Sequence, residues 1–383
     1  MKSTVRRTML THAVAGVAAA AATAPSFAQT AVRLYGVADA SVSFDKSGGA
    51  SGATTRITSG VMRASRFGIS GDEDLGGGLK VGFTLEAGLD IDTGGFKAYP
   101  GAPQTATPTA PGGTALASGF NRRSYVGLVG SFGTVSLGRD YTPWFWSGFS
   151  TDPFGFGLYG NLQAVAPLTG TGGERFARAS NAIFYTTPTW GGFVGRAMYS
   201  AGSESAGGGG SPPRNANAMV GLGADYRFGP FYVSGAYQEL RVPLVASSAF
   251  AGTGTRKDWI VGAKYTSGPF TLSGGYLKIV QPVANNDATA WWFGGWMPAG
   301  PGRLGAMGQR LKLQSAPGER TATVYGVAYV YPLSRRTDAY LSVGQARNNA
   351  LGTFAVVGSD ATVPAAAPGA SPRAVGIGLA HVF

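Results

Sequence analysis

Between residues 79 and 91 apolar and polar side chains alternate without a break. Val81, Phe83, Leu85, Ala87, Leu89 and Ile91 are apolar, and Lys80, Gly82, Thr84, Glu86, Gly88 and Asp90 between them are small or charged. Period two over such a length is a strand signal, and it outruns the usual five or six residues of a soluble strand. A tilted strand crossing a bilayer needs about 9–11 residues. The last segment repeats the pattern: Val375, Ile377, Leu379, His381 and Phe383 alternate with Ala374, Gly376, Gly378 and Ala380. Neither segment reads as a helix.

These strands pair around short turns at Asp72–Gly78, Ser131–Gly133, Pro188–Gly191, Phe228–Pro230, Ser267–Pro269, Pro298–Gly302 and Pro332–Arg336. Each turn uses Gly, Pro, Ser or Asp, which supply the dihedrals of a reversal. Seven hairpins, a first strand near Ala31–Ser43 and a last near Arg373–Phe383 predict sixteen strands. Longer Gly-, Pro- and Ala-rich stretches separate the hairpins, at roughly 44–54, 93–119, 142–176, 202–216, 242–256, 282–288, 315–320 and 348–371. Short turns at one end and long loops at the other predict an all-β fold, a 16-stranded antiparallel transmembrane β-barrel. Backbone in lipid must be satisfied within the sheet, so the sheet has to close. A secreted two-sheet protein or repeat adhesin would need more and shorter strands.

Composition agrees. Only 13% of the 383 residues are charged, against about a quarter in a soluble domain, as expected if half of each strand faces lipid. A hydrophobic share of 44% argues against disorder. Cys is absent, and His381 is the one histidine beyond the first thirty residues. A disulfide scaffold and a thiolate site are thereby excluded, and neither metal nor cofactor is expected. A barrel protease or lipase would need a Ser/His or Asp/His pair, which His381 is badly placed to supply. No enzymatic activity and no nucleic-acid partner are expected.

The first residues read as an address. Lys2, Arg6 and Arg7 precede an Ala-rich apolar run from Ala13 to Ala24, and Ser26-Phe27-Ala28 offers a small-residue cleavage site. Residues 1–28 are expected to be a cleaved signal peptide, since the run is too short and Ala-rich for a retained span of about 20 apolar residues. Residues 29–383 then form a single barrel domain. Its 28 basic and 19 acidic residues leave a net charge of +9. Tyr185, Trp190, Tyr226, Trp259, Tyr265, Tyr325 and Tyr331 fall near strand ends, where an aromatic girdle would meet the headgroups.

The stretch 142–176 differs from the other loops. It holds Trp144, Phe145, Trp146, Phe149, Phe154, Phe156 and Tyr159, and a connection of this length is usually functional. Folded inward, it would pack rings on the barrel wall, narrow the lumen and present a few polar groups, with Asp152 foremost and Glu174 near its end. The competing reading is an aromatic contact with a neighbouring subunit. Opposite the loop, strand parity aims Arg66, Arg122, Arg139 and Arg178 inward, with Arg33, Lys80 and Arg310 as further candidates. Each alone could equally be a rim or lipopolysaccharide contact. As a cluster they read as a pore lining, because charge on the lipid face at mid-depth costs about 2–4 kcal/mol.

Several blocks together resemble Gram-negative general-diffusion porins of the betaproteobacterial type. They are Leu34-Tyr35-Gly36-Val37-Ala38-Asp39, the run Ser65-Arg66-Phe67-Gly68-Ile69-Ser70-Gly71-Asp72-Glu73-Asp74-Leu75-Gly76, Tyr125-Val126-Gly127-Leu128, Ser131-Phe132-Gly133-Thr134 and Gly138-Arg139. Asn181-Ala182-Ile183-Phe184-Tyr185, Leu333-Ser334-Arg335-Arg336-Thr337-Asp338 and Phe383 complete the set. The resemblance spans the chain beyond the leader. It implies a homotrimer in the outer membrane, in contact with lipopolysaccharide and lipid. It also implies a third extracellular loop folded into the lumen, with Arg66, Arg122, Arg139 and Arg178 on the wall facing Asp152, and Phe383 read by the outer-membrane assembly machinery. The loop departs from the family pattern in having few acids and many aromatics. The function expected is passive diffusion of small hydrophilic solutes and ions with modest anion preference. The alternative is a channel selective for sugars or aromatic acids that uses the aromatic loop, Phe154 included.

Overall fold

The computed structural model describes residues 31–49, 52–97, 119–169, 177–202, 215–246, 249–282 and 286–383. The signal peptide predicted at 1–28 and Glu174 lie outside them.

Sixteen antiparallel strands form the barrel. They are β1 (Ala31–Lys46), β2 (Arg66–Gly76), β3 (Leu79–Asp90), β4 (Arg123–Gly130), β5 (Gly133–Tyr141), β6 (Arg178–Thr186), β7 (Phe193–Ser200) and β8 (Met219–Phe228). The second half comprises β9 (Phe231–Ala246), β10 (Ala249–Ser267), β11 (Phe270–Val280), β12 (Ala288–Ala299), β13 (Gly302–Leu313), β14 (Arg320–Pro332), β15 (Thr337–Asn348) and β16 (Arg373–Val382). Each strand pairs with its neighbours in sequence, and β16 pairs with β1 from Val37↔Val382 to Lys46↔Arg373. Gly36 and Phe383 exchange both backbone hydrogen bonds at the end of that seam, 3.0 and 3.1 Å. The Phe383 ring fills the space a side chain at Gly36 would need.

Burial is inverted relative to a soluble sheet. Leu34 (66% exposed), Leu222, Trp291 and Ile377 point outward, while Asp39, Glu86, Asp225, Asp258 and Gln309 are buried within the barrel. An apolar exterior around a polar interior suits a sheet whose outer solvent is lipid. Trp190, Tyr226, Trp259, Tyr265 and Tyr331 of the expected girdle are exposed. At the short-turn end Tyr226, Phe228, Phe231 and Tyr265 follow one another with ring centroids 5.0–5.3 Å apart.

The hairpins sit where the turn residues place them. Three of them share one device, a Gly-Pro pair at 229–230, 268–269 and 300–301. Their glycines have φ of +53°, +55° and +57°, a positive φ of the kind the favoured two-residue turns demand.

Other boundaries differ from expectation. The stretch 242–256 is not a loop. β9 and β10 stay paired through Arg241↔Thr255 and Pro243↔Thr253 to Ala246↔Ala249, with a bulge at Leu244/Val245. The neighbouring strand supplies the hydrogen bonds that a Gly- and Ser-rich composition does not advertise. β2 runs through Asp72 and Asp74 to Gly76, because Asp74 pairs with Lys80 across the hairpin. Within 44–54 and just beyond it, β1 continues to Lys46 and Thr54–Ser59 folds back to pair with Ala40–Asp45. Within 348–371, Val356–Val357 pairs with Thr362–Val363.

Candidate functional site

A nine-residue helix, α1 (Pro143–Thr151), follows β5. Thr142 caps it, its hydroxyl accepting from the Phe145 N–H at 3.0 Å, and Pro143 occupies the first turn, where a missing N–H costs nothing. Trp144, Ser147, Gly148 and Thr151 form its buried face. Ser234 of β9 donates to the Ser147 hydroxyl at 2.8 Å, and the absence of a side chain at Gly262 of β10 makes room for Thr151.

Beyond α1 the chain is carried by side chains from the inward faces of other strands. Trp292 and Trp296 of β12 donate through Nε1 to the carbonyls of Thr151 (3.0 Å) and Pro153 (2.6 Å). Gln309 of β13 donates to Gly160 and Asn161 at 2.8 and 2.7 Å. The Tyr159 N–H donates to Ser342 of β15 at 2.8 Å, and its hydroxyl meets Ser43 of β1 at 2.7 Å. A Cβ at Gly326 of β14 would collide with the Tyr159 carbonyl.

Asp152 ends α1, and its carboxylate holds this segment's own backbone. It accepts from the N–H groups of Phe154 (3.0 Å), Phe156 (2.9 Å) and Leu162 (3.1 Å). Burial pushes its pKa up to about 6 in spite of those three donors. The sequence suggests Asp152 as the acid facing the arginines; its oxygens are engaged within the segment instead. Phe154 packs against Trp296 with centroids 5.5 Å apart.

The carboxylate that does meet the arginines is on the wall. Glu86 of β3 accepts from Arg122 Nε at 2.7 Å and lies 3.6 Å from Arg66 Nε. Arg122 also donates to the Tyr141 hydroxyl at 2.7 Å, as does Arg178 at 3.1 Å. Beside them Arg123 holds Asp140 through Nε and Nη2, at 2.8 and 3.0 Å. Glu86 belongs to the polar set of the 79–91 alternation, so its inward direction is readable from sequence, but its partners are not.

Arg66, Arg122 and Arg178 come together on one cavity of about 1220 Å³. Arg63, Lys97, Arg123, Arg227, Lys264 and Arg303, none of them expected, also line it. Among the described residues, nine basic side chains face it against three acidic ones, Glu86, Asp152 and Asp360. Arg139 is not part of that lining. It stands at the bulge between Gly138 and Asp140, and donates to the Asn121 carbonyl and the Ser180 hydroxyl, both on buried residues. Arg33 pairs with Asp72 away from the cavity. Lys80 is not in the lining. Arg310 points outward, donating to Thr323 and Thr321.

A closed barrel with an apolar exterior and a charged, open interior defines a transmembrane β-barrel channel. The comparisons narrow the class. The Gram-negative porin family matches residues 13–351, and the chain belongs to that family. Outer membrane porin protein 32 of Delftia acidovorans is 36% identical over 182 residues, a stretch spanning 46% of each chain. An outer membrane porin protein of Bordetella pertussis is 25% identical over 99% of this chain and 100% of its own. Among solved structures, the anion-selective porin from Comamonas acidovorans superposes with a TM-score of 0.75 at 26% identity, covering 93% of this chain and all of that one. The trimer form of OmpT, an outer membrane protein of Vibrio cholerae, shares the fold with a TM-score of 0.65 at 18% identity. The protein is thus an outer-membrane porin and not an enzyme.

Proposed function

We propose that this porin passes small hydrophilic solutes by diffusion with a preference for anions. The observation that carries this reading is the charge of the cavity, nine basic side chains against three acidic ones among the described residues. Fixed charge of one sign in a low-dielectric channel concentrates counter-ions, and arginine keeps its charge beside other cations where a crowded lysine sheds it. The likeness to a porin described as anion-selective supports the same reading. The segment 142–176 acts as the constriction, with Asp152 as its internal brace and Glu174 near its end. Planar-bilayer recording in a KCl gradient tests the reading. A reversal potential displaced toward that of chloride is expected, and one displaced toward potassium overturns it.

The finer assignments belong to the same proposal. Residues 1–28 are a cleaved export signal, and Phe383 serves the assembly machinery. Three copies associate, as in the trimer form of the Vibrio OmpT. Outward cations such as Arg310 and Arg347, in register across β13–β15 through Thr323, suit the anionic groups of lipopolysaccharide.

A further inference from the structure

Helix α1 turns rings toward the cavity that a packing helix would bury. Phe145, Trp146 and Phe149 all line it, and Phe149 keeps 42% of its surface exposed. Contiguous apolar surface left in water marks a binding site more often than an accident. The rings are also ordered. Tyr141 and Phe145 stack with centroids 4.0 Å apart and planes 17° from parallel, and Phe149 follows at 5.7 Å and 14°. Spacing by four residues keeps Phe145 and Phe149 on one face of the helix, and Tyr141, the last residue of β5, extends the row.

Tyr141 joins this row to the charged wall. The Arg178 guanidinium lies 4.7 Å over its ring, and Arg122 and Arg178 both donate to its hydroxyl. Arg66, across Glu86 from Arg122, is the more exposed of that pair. One cavity therefore offers an apolar π surface and a guanidinium cluster side by side. A sugar stacked on such a row would need both donors and acceptors for its hydroxyls; guanidinium groups only donate, and Glu86, the acceptor in this wall, is already taken by Arg122 and Tyr35. A carboxylate needs donors alone, and arginine meets it with a matching fork.

We propose that the cavity selects aromatic carboxylates, with the carboxylate on Arg66, the most exposed member of the Arg66–Arg122–Arg178 wall, and the ring on Phe145 and Phe149. This inference rests on the anion-channel reading and adds the class of anion. A solute held by both features stays longer than one held by charge alone, so it interrupts the chloride current at lower concentration.

The test is planar-bilayer recording of the full chain in KCl at neutral pH, with potassium benzoate or potassium acetate added. Half-block by benzoate is expected at about a tenfold lower concentration than by acetate, the yield of one or two ring contacts. In Phe145→Leu/Phe149→Leu, which keeps apolar bulk and loses the ring faces, the ratio is expected to fall to about threefold or less. Should that variant form no channels, Phe149→Leu alone reads the same ratio from the most exposed ring. Equal half-blocking concentrations in the wild type, with reversal still toward chloride, overturn this inference and leave the anion channel standing. A benzoate preference that survives loss of the rings overturns it too. Reversal toward potassium overturns the channel reading beneath it.

Discussion

Arg66 and Glu86 stand on strands and are aimed at the cavity by strand alternation, with Arg122 fixed just ahead of β4, whereas Phe145 and Phe149 stand on a helix with no sheet partner and are aimed by side chains from elsewhere. The wall needs only the register of β2, β3 and β4 to bring Arg66, Glu86 and Arg122 within reach of one another. The segment needs Ser234, Trp292, Gln309 and Ser342, contributed by four strands that lie well beyond it in the chain, two of them one hairpin. Charge placed on the sheet inherits its rigidity. Rings placed on the segment are only as fixed as a set of hydrogen bonds, each worth about 1 kcal/mol net.

The largest effect is expected on the wall. In Arg66→Gln/Arg122→Gln the reversal potential moves toward zero, and Glu86, almost wholly buried, loses both cations. Stranding a buried charge in this way costs about 3–5 kcal/mol, seen as faster thermal unfolding in detergent. Adding Glu86→Gln should restore most of the stability and, by taking one acid out of the cavity, part of the anion preference. A double variant as stable as the wild type would show that the wall is not the buried network described.

On the segment side, Asp152→Asn removes one charged acceptor from three backbone donors. A cost of about 1–3 kcal/mol is expected, read as added noise in the open-channel current. The same group gives a pH signature. Its pKa is raised to about 6, so it is charged at neutral pH and gains a proton as pH falls through that value. The cavity then becomes more positive, and anion preference should rise on acidification in the wild type and stay flat in Asp152→Asn.

Gln309→Leu strips the donor from two carbonyls, and about 1 kcal/mol with a modest rise in current noise is expected. Arg310→Gln, on the outer face, should leave the reversal potential where it was. A shift there would break the distinction between inner and outer arginines.

The same contrast governs what could be read from the chain. Alternation in 79–91 placed Glu86 inward, and Gly-Pro pairs located three of the hairpins. The wall was legible as a direction for each arginine, except where Arg122 and Arg123 leave parity open; both line the cavity. Arg139 stays out of the cavity lining because a bulge between Gly138 and Asp140, which the sequence does not announce, interrupts the alternation there. The helix was not legible, because Pro143–Thr151 mixes aromatics with Gly and Ser, and Trp144 and Trp146 obscure the four-residue spacing of Phe145 and Phe149. Nor were the partners of Asp152, since backbone amides leave no mark in a sequence.

A closed ring of hydrogen-bonded strands resists stretching but is easily pressed out of round. The segment after β5 crosses the ring, fastened to β9 at Ser234, to β12 and β13 at Trp292 and Gln309, and to β15 and β1 at Ser342 and Ser43. It is therefore a strut as well as a selector. With it in place strands on different sides of the ring are tied to one another through the lumen, and the spacing between rings and arginines is set from inside the bore.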